Sequence, residues 1–242
     1  MWSRRLALGA VVLPLALLVM RDAPVRLLPP EPAAVGPAAP HTAPQPAIVK
    51  RSVWRADEHM VRHRATYTGP VNAVFIHHTG HPNGYDCADV PAMLRALQMD
   101  HIRVEGWDDI GYNFVVDRCG NIYEGRAGGI GRSVHGAHTQ GFNDDSVGIA
   151  ALGNFGAGVT VPKPLLEGMA KLAAWKLRPG VDPRGTVRLV STNGESRYRK
   201  GATAEFHVIS GHRDSHQTRC PGDALYDRLP AIRDTVARMR KD

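Results

Sequence analysis

The chain has no apolar stretch of the roughly 20 residues that a membrane-crossing helix usually needs. Its longest apolar run, Leu6 to Met20, covers 15 residues and is interrupted by Gly9 and Pro14. It has no internal repeat, which excludes a repeat array. It carries no Lys/Arg stripe and no nucleic-acid-binding motif, so its net charge of +7 does not by itself point to nucleic acid. Cysteine is scarce. Cys87, Cys119 and Cys220 are the full set, and an odd number cannot pair completely.

What is present is ordinary for a folded protein. A length of 242 residues, 43% hydrophobic and 22% charged, excludes a wholly disordered chain, a coiled coil and a polytopic membrane protein. It leaves room for one sizeable core. The first 50 residues hold five Lys/Arg against two Asp/Glu, and the rest hold 25 against 21, so the body is only mildly basic. That balance suits a polyanionic surface such as a bacterial envelope as well as it suits nucleic acid.

The N-terminus reads as an export segment. Arg4 and Arg5 precede the apolar run, and Arg21-Asp22 end it. No clean Ala-x-Ala site follows, so residues 1–22 read either as a signal peptide or as an uncleaved N-terminal membrane anchor. Ser3-Arg4-Arg5-Leu6 loosely resembles a twin-arginine signal. Eight of the 18 prolines fall between Arg21 and Lys50, and residues 23–47 read as a Pro/Ala-rich linker without a core. The folded domain is expected over 48–242. The protein is then secreted or held at the cell envelope, with membrane contact only through the N-terminal segment.

Within that domain, Val71–His77 reads as a buried strand. Asp89 is placed to cap a helix with Pro91 in its first turn, an apolar stripe of Met93, Leu94, Leu97 and Ile102, and a stop at Gly106. Asn113–Asp117 and Ile122–Glu124 read as strands joined by a tight turn. Ser146–Leu152 is a further strand and Pro164–Arg178 a helix. Pro183–Glu205 is a polar excursion with a hairpin tip at Asn193-Gly194. Phe206–Ser210 is a short strand, and Asp223–Arg240 a final helix with Leu225, Leu229, Ile232, Val236 and Met239 on one face. Strands alternating with helices predict an α/β layered fold.

Cysteine and histidine carry the chemistry. Pairing Cys87 with Cys119 closes a loop of about 32 residues, worth roughly 3–4 kcal/mol on the chain-entropy model. Cys220 is then left alone. Outside the cell a lone exposed thiol oxidises, so it must be buried or coordinated, and the polar stretch before Pro221-Gly222 disfavours simple burial. Among the 12 histidines, His77 ends a buried strand and His212 follows another strand end, with Cys220 eight residues later. Two imidazoles and a thiolate suit Zn2+ with a fourth, open position. The spacing alone is not specific.

Eight segments, in order, make the sequence resemble the peptidoglycan recognition protein family, the type 2 N-acetylmuramoyl-L-alanine amidases. They are Arg51-x-x-Trp54-x-Ala56, Phe75-Ile76-His77-His78-Thr79, Gly106-Trp107-x-Asp109-Ile110-Gly111-Tyr112-Asn113-Phe114, Ile122-Tyr123-Glu124-Gly125-Arg126, Gly136-Ala137-His138-x-x-Gly141-Phe142-Asn143, Ser146-Val147-Gly148-Ile149, Gly211-His212-Arg213-Asp214 and Thr218-x-Cys220-Pro221-Gly222. The signal and linker lie outside the resemblance, and 183–205 matches poorly.

The resemblance implies a central mixed β-sheet flanked by helices. It implies zinc held by His77, His212 and Cys220, and hydrolysis of the amide between N-acetylmuramic acid and L-alanine of peptidoglycan. The expected partner is therefore peptidoglycan or a muropeptide, met as a monomer. Non-catalytic relatives lack the Cys ligand, so its presence favours an enzyme. Tyr112 matches the family's active-site tyrosine and Thr218 a second polar position beside the metal. Trp107, Arg126, His138 and Asn143 fall in loops expected to bind substrate. Arg126 reads equally as a structural ion pair, and Trp54 as packing. No carboxylate base matches; His216 is a candidate base, but a solvent-facing residue is the favoured reading, and His78 reads as packing or as support for a ligand rather than as a ligand. Two other readings stay open: a binding-only receptor domain, and a metal-free hydrolase with Cys220 as nucleophile and His212 as base.

Overall fold

A computed structural model describes residues 42–240. The expected signal or anchor segment, residues 1–22, and the expected linker up to residue 41 lie outside the described residues. The first strand, β1 (Ile48–Val49), is followed by a one-turn helix, α1 (Arg51–Trp54). Both are too short for hydrophobic periodicity to register, and the sequence reading missed them.

The central strand β2 (Ala73–His78) alternates its side chains between two faces. Val74 and Ile76 enter one apolar cluster, and Ala73 and Phe75 enter another. His77 therefore shares its face with Ala73 and Phe75. A 3-10 turn (Cys87–Asp89) leads into α2 (Val90–Arg103). Asp89 does not cap this helix with its side chain; Asp86 caps the preceding turn by accepting from Ala88 N. The helix stops at Arg103, before Gly106, where the Arg62 guanidinium covers the carbonyl oxygens of Ile102 and Gly106.

The antiparallel pair β3 (Phe114–Val116) and β4 (Ile122–Glu124) turns at Gly120, φ +87°. Buried Asp117 holds that turn by accepting from the amides of Cys119 and Asn121 and from the Tyr123 hydroxyl. Next come β5 (Ser146–Ala151) and α3 (Lys163–Lys176). The helix ends two residues short of Arg178, whose backbone is restrained by the following Pro179.

Three details differ from expectation. The hairpin of β6 (Thr186–Val190) and β7 (Thr203–His207) exists, but Asn193-Gly194 lies early in its connecting loop rather than directly joining the strands. The expected strand at Phe206–Ser210 is two strands: β7 pairs with β6, whereas β8 (Ile209–Gly211) joins the main sheet beside β2. The expected C-terminal helix is broken. After α4 (His212–Ser215), α5 (Asp223–Tyr226) and α6 (Leu229–Met239) are separate, because Pro230 lacks the N–H that would continue the helix across them.

The main sheet has the order β1-β4-β3-β5-β2-β8. All its pairs are parallel except β3–β4, so it is mixed. One face packs Ile76, Val116 and Ile149 against Leu165, Met169, Leu172 and Trp175 of α3 and Ile232 and Val236 of α6. The other packs Val115, Ala150 and Leu152 against Trp54 of α1 and Leu94 and Leu97 of α2. Each fully buried Leu, Ile or Phe there contributes roughly 1.5–3 kcal/mol. A third cluster joins Phe75 and Phe142 to Phe206 of β7. The expected Cys87–Cys119 disulfide is formed and ties the approach to α2 to the β3–β4 turn. No helix of the described residues is long and apolar enough to cross a membrane.

Candidate metal centre

Strand register brings the two histidines together. Ile76 on β2 is the partner of Gly211 on β8, so the residues that follow them, His77 within β2 and His212 at the start of α4, lie at the same end of the sheet. Their rings lie 4.6 Å apart, centre to centre. The chain then folds back through α4, and the Arg213 amide donates to the Cys220 carbonyl at 2.9 Å. This returns Cys220 Sγ to 3.8 Å from His77 Nδ1. The ligand atoms of His77, His212 and Cys220 all fall within 4.8 Å of one another. Cys220 is buried, contrary to the expectation from its polar sequence neighbours, because this loop closes over the β2–β8 edge.

The donor set fits zinc. Zn–S of about 2.3 Å and Zn–N of about 2.0 Å at a tetrahedral angle put sulfur and nitrogen about 3.5 Å apart. The two imidazoles fit as well. Burial, then the neighbouring His212 and His138, holds His77 well below the usual imidazole range. Burial, then His216 and His78, lowers His212 to about 4. Both rings are therefore neutral at neutral pH, as ligands must be. Burial pushes the Cys220 thiol up to about 12, opposed only partly by the His78 amide that points at its sulfur.

The surrounding motif residues hold this arrangement. Asp214 accepts from the Gly211 amide at 2.8 Å and from the Tyr226 hydroxyl at 2.6 Å. Arg213 reaches Asp223 and the carbonyl of Arg219. The two acids of this segment are thus occupied as scaffold. His78 points to the opposite face from His77, as its strand position requires, and its Nδ1 accepts from the Phe155 amide.

Of the other expected site residues, some converge and some do not. Tyr112 packs its ring 5.3 Å from that of His77 and donates its hydroxyl to the His78 carbonyl at 3.4 Å. Burial, then Cys220 and Glu105, raises its pKa, so it stays a protonated donor. Thr218 Oγ1 accepts from the Cys220 amide at 3.2 Å. His216 stacks on His212 at 5.3 Å. His138 is buried and lies against His77, ring centres 5.3 Å apart.

Trp107, Arg126 and Asn143 stand further back. Trp107 packs on His101, which in turn packs on Tyr112. Arg126 pairs with Asp108 at 3.6 Å and donates to the Ile110 carbonyl, in a partly buried position. Asn143 Oδ1 accepts from the amides of His138 and Thr139, fastening the loop between them. Trp54 is fully buried and its Nε1 donates to the Glu124 carbonyl.

Sequence reasoning missed two residues here. Asp109 is buried; it pairs with Arg51 at 3.1 Å and accepts from the Ala127 amide, locking the first motif to the third and fourth. Thr139 is fully buried beside His77. Only the burial of a polar residue marks either one, and a single sequence does not display burial.

A family model described as N-acetylmuramoyl-L-alanine amidase matches residues 67–223, a span that contains all three converging side chains. The chain belongs to this amidase family. It is 34% identical over 187 residues to the N-acetylmuramoyl-L-alanine amidase of Homo sapiens, covering 76% of this chain and 28% of the human one. It is 32% identical over 182 residues to peptidoglycan recognition protein 3 of Mus musculus, covering 75% and 44%. The amidase-family chain therefore spans less than half the length of either relative. Among solved structures, Drosophila PGRP-LB matches with a TM-score of 0.58 at 28% identity, over 76% of this chain and 93% of that one. Human PGRP-IBETAC in complex with glycosamyl muramyl pentapeptide matches with a TM-score of 0.58 at 29% identity, over 76% and 95%. The family's relatives thus include proteins named as amidases and proteins named as recognition proteins.

Proposed function

We propose that this chain is a zinc-dependent N-acetylmuramoyl-L-alanine amidase acting on peptidoglycan outside the cytoplasm. The observation that carries this reading is the meeting of the ligand atoms of His77, His212 and Cys220 within 4.8 Å. Three protein donors leave a fourth position for water or substrate, the pattern of a catalytic rather than a structural site. The peptidoglycan fragment named for a structural neighbour supports the choice of substrate. The export-type N-terminus supports the location.

Bound zinc supplies a Lewis acid and a water of lowered pKa, from about 16 towards 7. The chain's own residues do the rest. Tyr112 keeps its proton and sits beside His77; its hydroxyl, which donates to the His78 carbonyl at 3.4 Å, would turn from it to the scissile carbonyl oxygen as negative charge develops there. The Thr218 hydroxyl oxygen is engaged by the Cys220 amide, which leaves its hydrogen free to orient a reacting group. Trp107 and Arg126 flank the Tyr112 side and offer an apolar face and a cation to the sugar and stem peptide. His138 and Asn143, by their placement, support the site from behind.

A metal-free hydrolase with Cys220 as nucleophile and His212 as base is the alternative reading. The deciding experiment is cleavage of a purified muropeptide by the full chain with and without a strong chelator. The zinc amidase loses cleavage with chelator and regains it with Zn2+. Cleavage that ignores chelator but stops with a thiol alkylator would establish the cysteine hydrolase instead. Binding without cleavage would establish a receptor domain.

A further inference from the structure

Behind the metal-facing side of His77 runs a chain of three polar groups. His77 Nδ1 faces Cys220 Sγ at 3.8 Å, while its other ring nitrogen, Nε2, lies 3.3 Å from the Thr139 hydroxyl. The same hydroxyl oxygen lies 2.8 Å from Nδ1 of His138. His77, Thr139 and His138 are all buried. The far nitrogen of His138, Nε2, is buried with no hydrogen-bond partner among the described residues.

We propose that Thr139 is a positioning residue that fixes the proton of His77 on Nε2, with His138 as the acceptor that makes this possible. The inference rests on the zinc reading above and deepens it.

A nitrogen that holds a metal carries no hydrogen, so His77 ligating through Nδ1 must keep its single proton on Nε2. That N–H donates to Thr139 Oγ1. A hydroxyl has only one hydrogen, and with its oxygen accepting from His77 that hydrogen points at His138 Nδ1. This nitrogen must then be an unprotonated acceptor, and the His138 proton sits on Nε2. The reverse arrangement is equally complete. Were His138 to donate from Nδ1, Thr139 would have to donate to His77 Nε2, which would place the His77 proton on Nδ1 and block the metal. The hydroxyl can serve only one direction at a time. Histidine ligands are commonly oriented by such a partner on the outer nitrogen.

The chain makes specific room for His138. A Cβ on Gly148 would lie 2.3 Å from its ring carbon Cγ, and one on Gly136 would lie 2.4 Å from its Cδ2. Both glycines sit in the recurring motifs, and neither has the positive φ that would otherwise call for glycine. Asn143 fixes the backbone of both relay residues by accepting from their amides. The relay is therefore held from three sides, and the unpartnered Nε2 is the side that the metal-competent direction leaves as a donor.

Two measurements on the full chain test this. Zinc affinity is read by competition with a chromophoric chelator for the wild type, Thr139→Val and Thr139→Ser. The valine variant, equal in shape but without the hydroxyl, should bind zinc about 10- to 100-fold more weakly. The serine variant should stay within about threefold of the wild type, in the range a retained hydroxyl allows. Equal affinities for valine and wild type, or equal losses for valine and serine, overturn the proposal. The second measurement needs no variant. Long-range 1H–15N spectra of the zinc-loaded wild type should show His77 and His138 both protonated at Nε2. A His138 protonated at Nδ1 overturns the relay even if the variants fail to fold. A wild type that binds no zinc overturns the metal reading and this inference together, whereas a zinc-binding wild type with an unaffected valine variant overturns this inference alone.

Discussion

The backbone amide of His78 donates to the sulfur of Cys220 at 3.3 Å, across 142 residues of chain. Strand β2 thus supplies both a ring beside the sulfur, from His77, and an N–H that favours its thiolate form. Cys220 is in consequence more than a third donor; it is the point where the C-terminal loop docks on the central strand.

Replacing Cys220 with alanine removes the docking atom and the proposed metal ligand while leaving a small apolar residue in a buried place. We expect muropeptide cleavage to fall to background and zinc affinity to drop by at least about 100-fold. The metal-free melting temperature should move by only a few degrees, in line with a substitution costing about 1 kcal/mol. Turnover retained by this variant, measured alongside calorimetry, would refute the ligand assignment.

Gly148 tests the packing behind the site. An alanine methyl there collides with the His138 ring at 2.3 Å, and both the strand and the ring are buried. Overpacking of this kind costs typically 1–3 kcal/mol. Urea denaturation of Gly148→Ala should show that loss, accompanied by weaker zinc binding. A variant as stable as the wild type would mean that the ring has somewhere else to go.

Lys176 gives the clearest pH signature. Its amine is buried at the end of α3 and donates to the carbonyls of Ile130 and Arg132. Burial lowers its pKa from 10.5 to about 8. A lysine with a lowered folded-state pKa binds fewer protons folded than unfolded between those two values, so stability rises with pH across that window. Below pH 8 the penalty of the buried charge is present in full. From pH 7.5 to 9.5 the wild type should gain about 2 kcal/mol relative to Lys176→Met. Urea midpoints of the two proteins at both pH values check this, and parallel behaviour would show that the amine stays charged throughout.

The disulfide predicts a thiol count. Exported protein, denatured without reductant, should titrate one free thiol, from Cys220, rather than three. The double variant Cys87→Ser/Cys119→Ser should lose roughly 3–4 kcal/mol by chain entropy, read as a shift in denaturant midpoint. A count of three thiols, or an unshifted midpoint, would contradict the prediction.

Much of this organisation could be read from local pattern. The strand at Ala73–His78 and the helix at Val90–Arg103 announce themselves by apolar periodicity and by Pro91. Periodicity misled at Asp223–Arg240, where the apolar stripe runs straight through a break that Pro230 imposes. It also merged β7 with β8, since one continuous apolar segment does not say that its halves pair with different sheets.

The sequence by itself determined the family, the α/β alternation, and the three residues that meet at the end of β2. These lie in contiguous motifs, so no distances are needed, whereas which two of the three cysteines pair is seen only in the fold. Only the tertiary structure decided that Asn143 and His138 face inward, that Asp109 binds Arg51, and that Thr139 stands between two histidines. The reason is physical: whether a polar side chain meets solvent or another buried group depends on strands brought together across 60 to 140 residues, as from Thr139 to His77 and from Cys220 to His78. The linear chain carries no record of which face such a residue will turn.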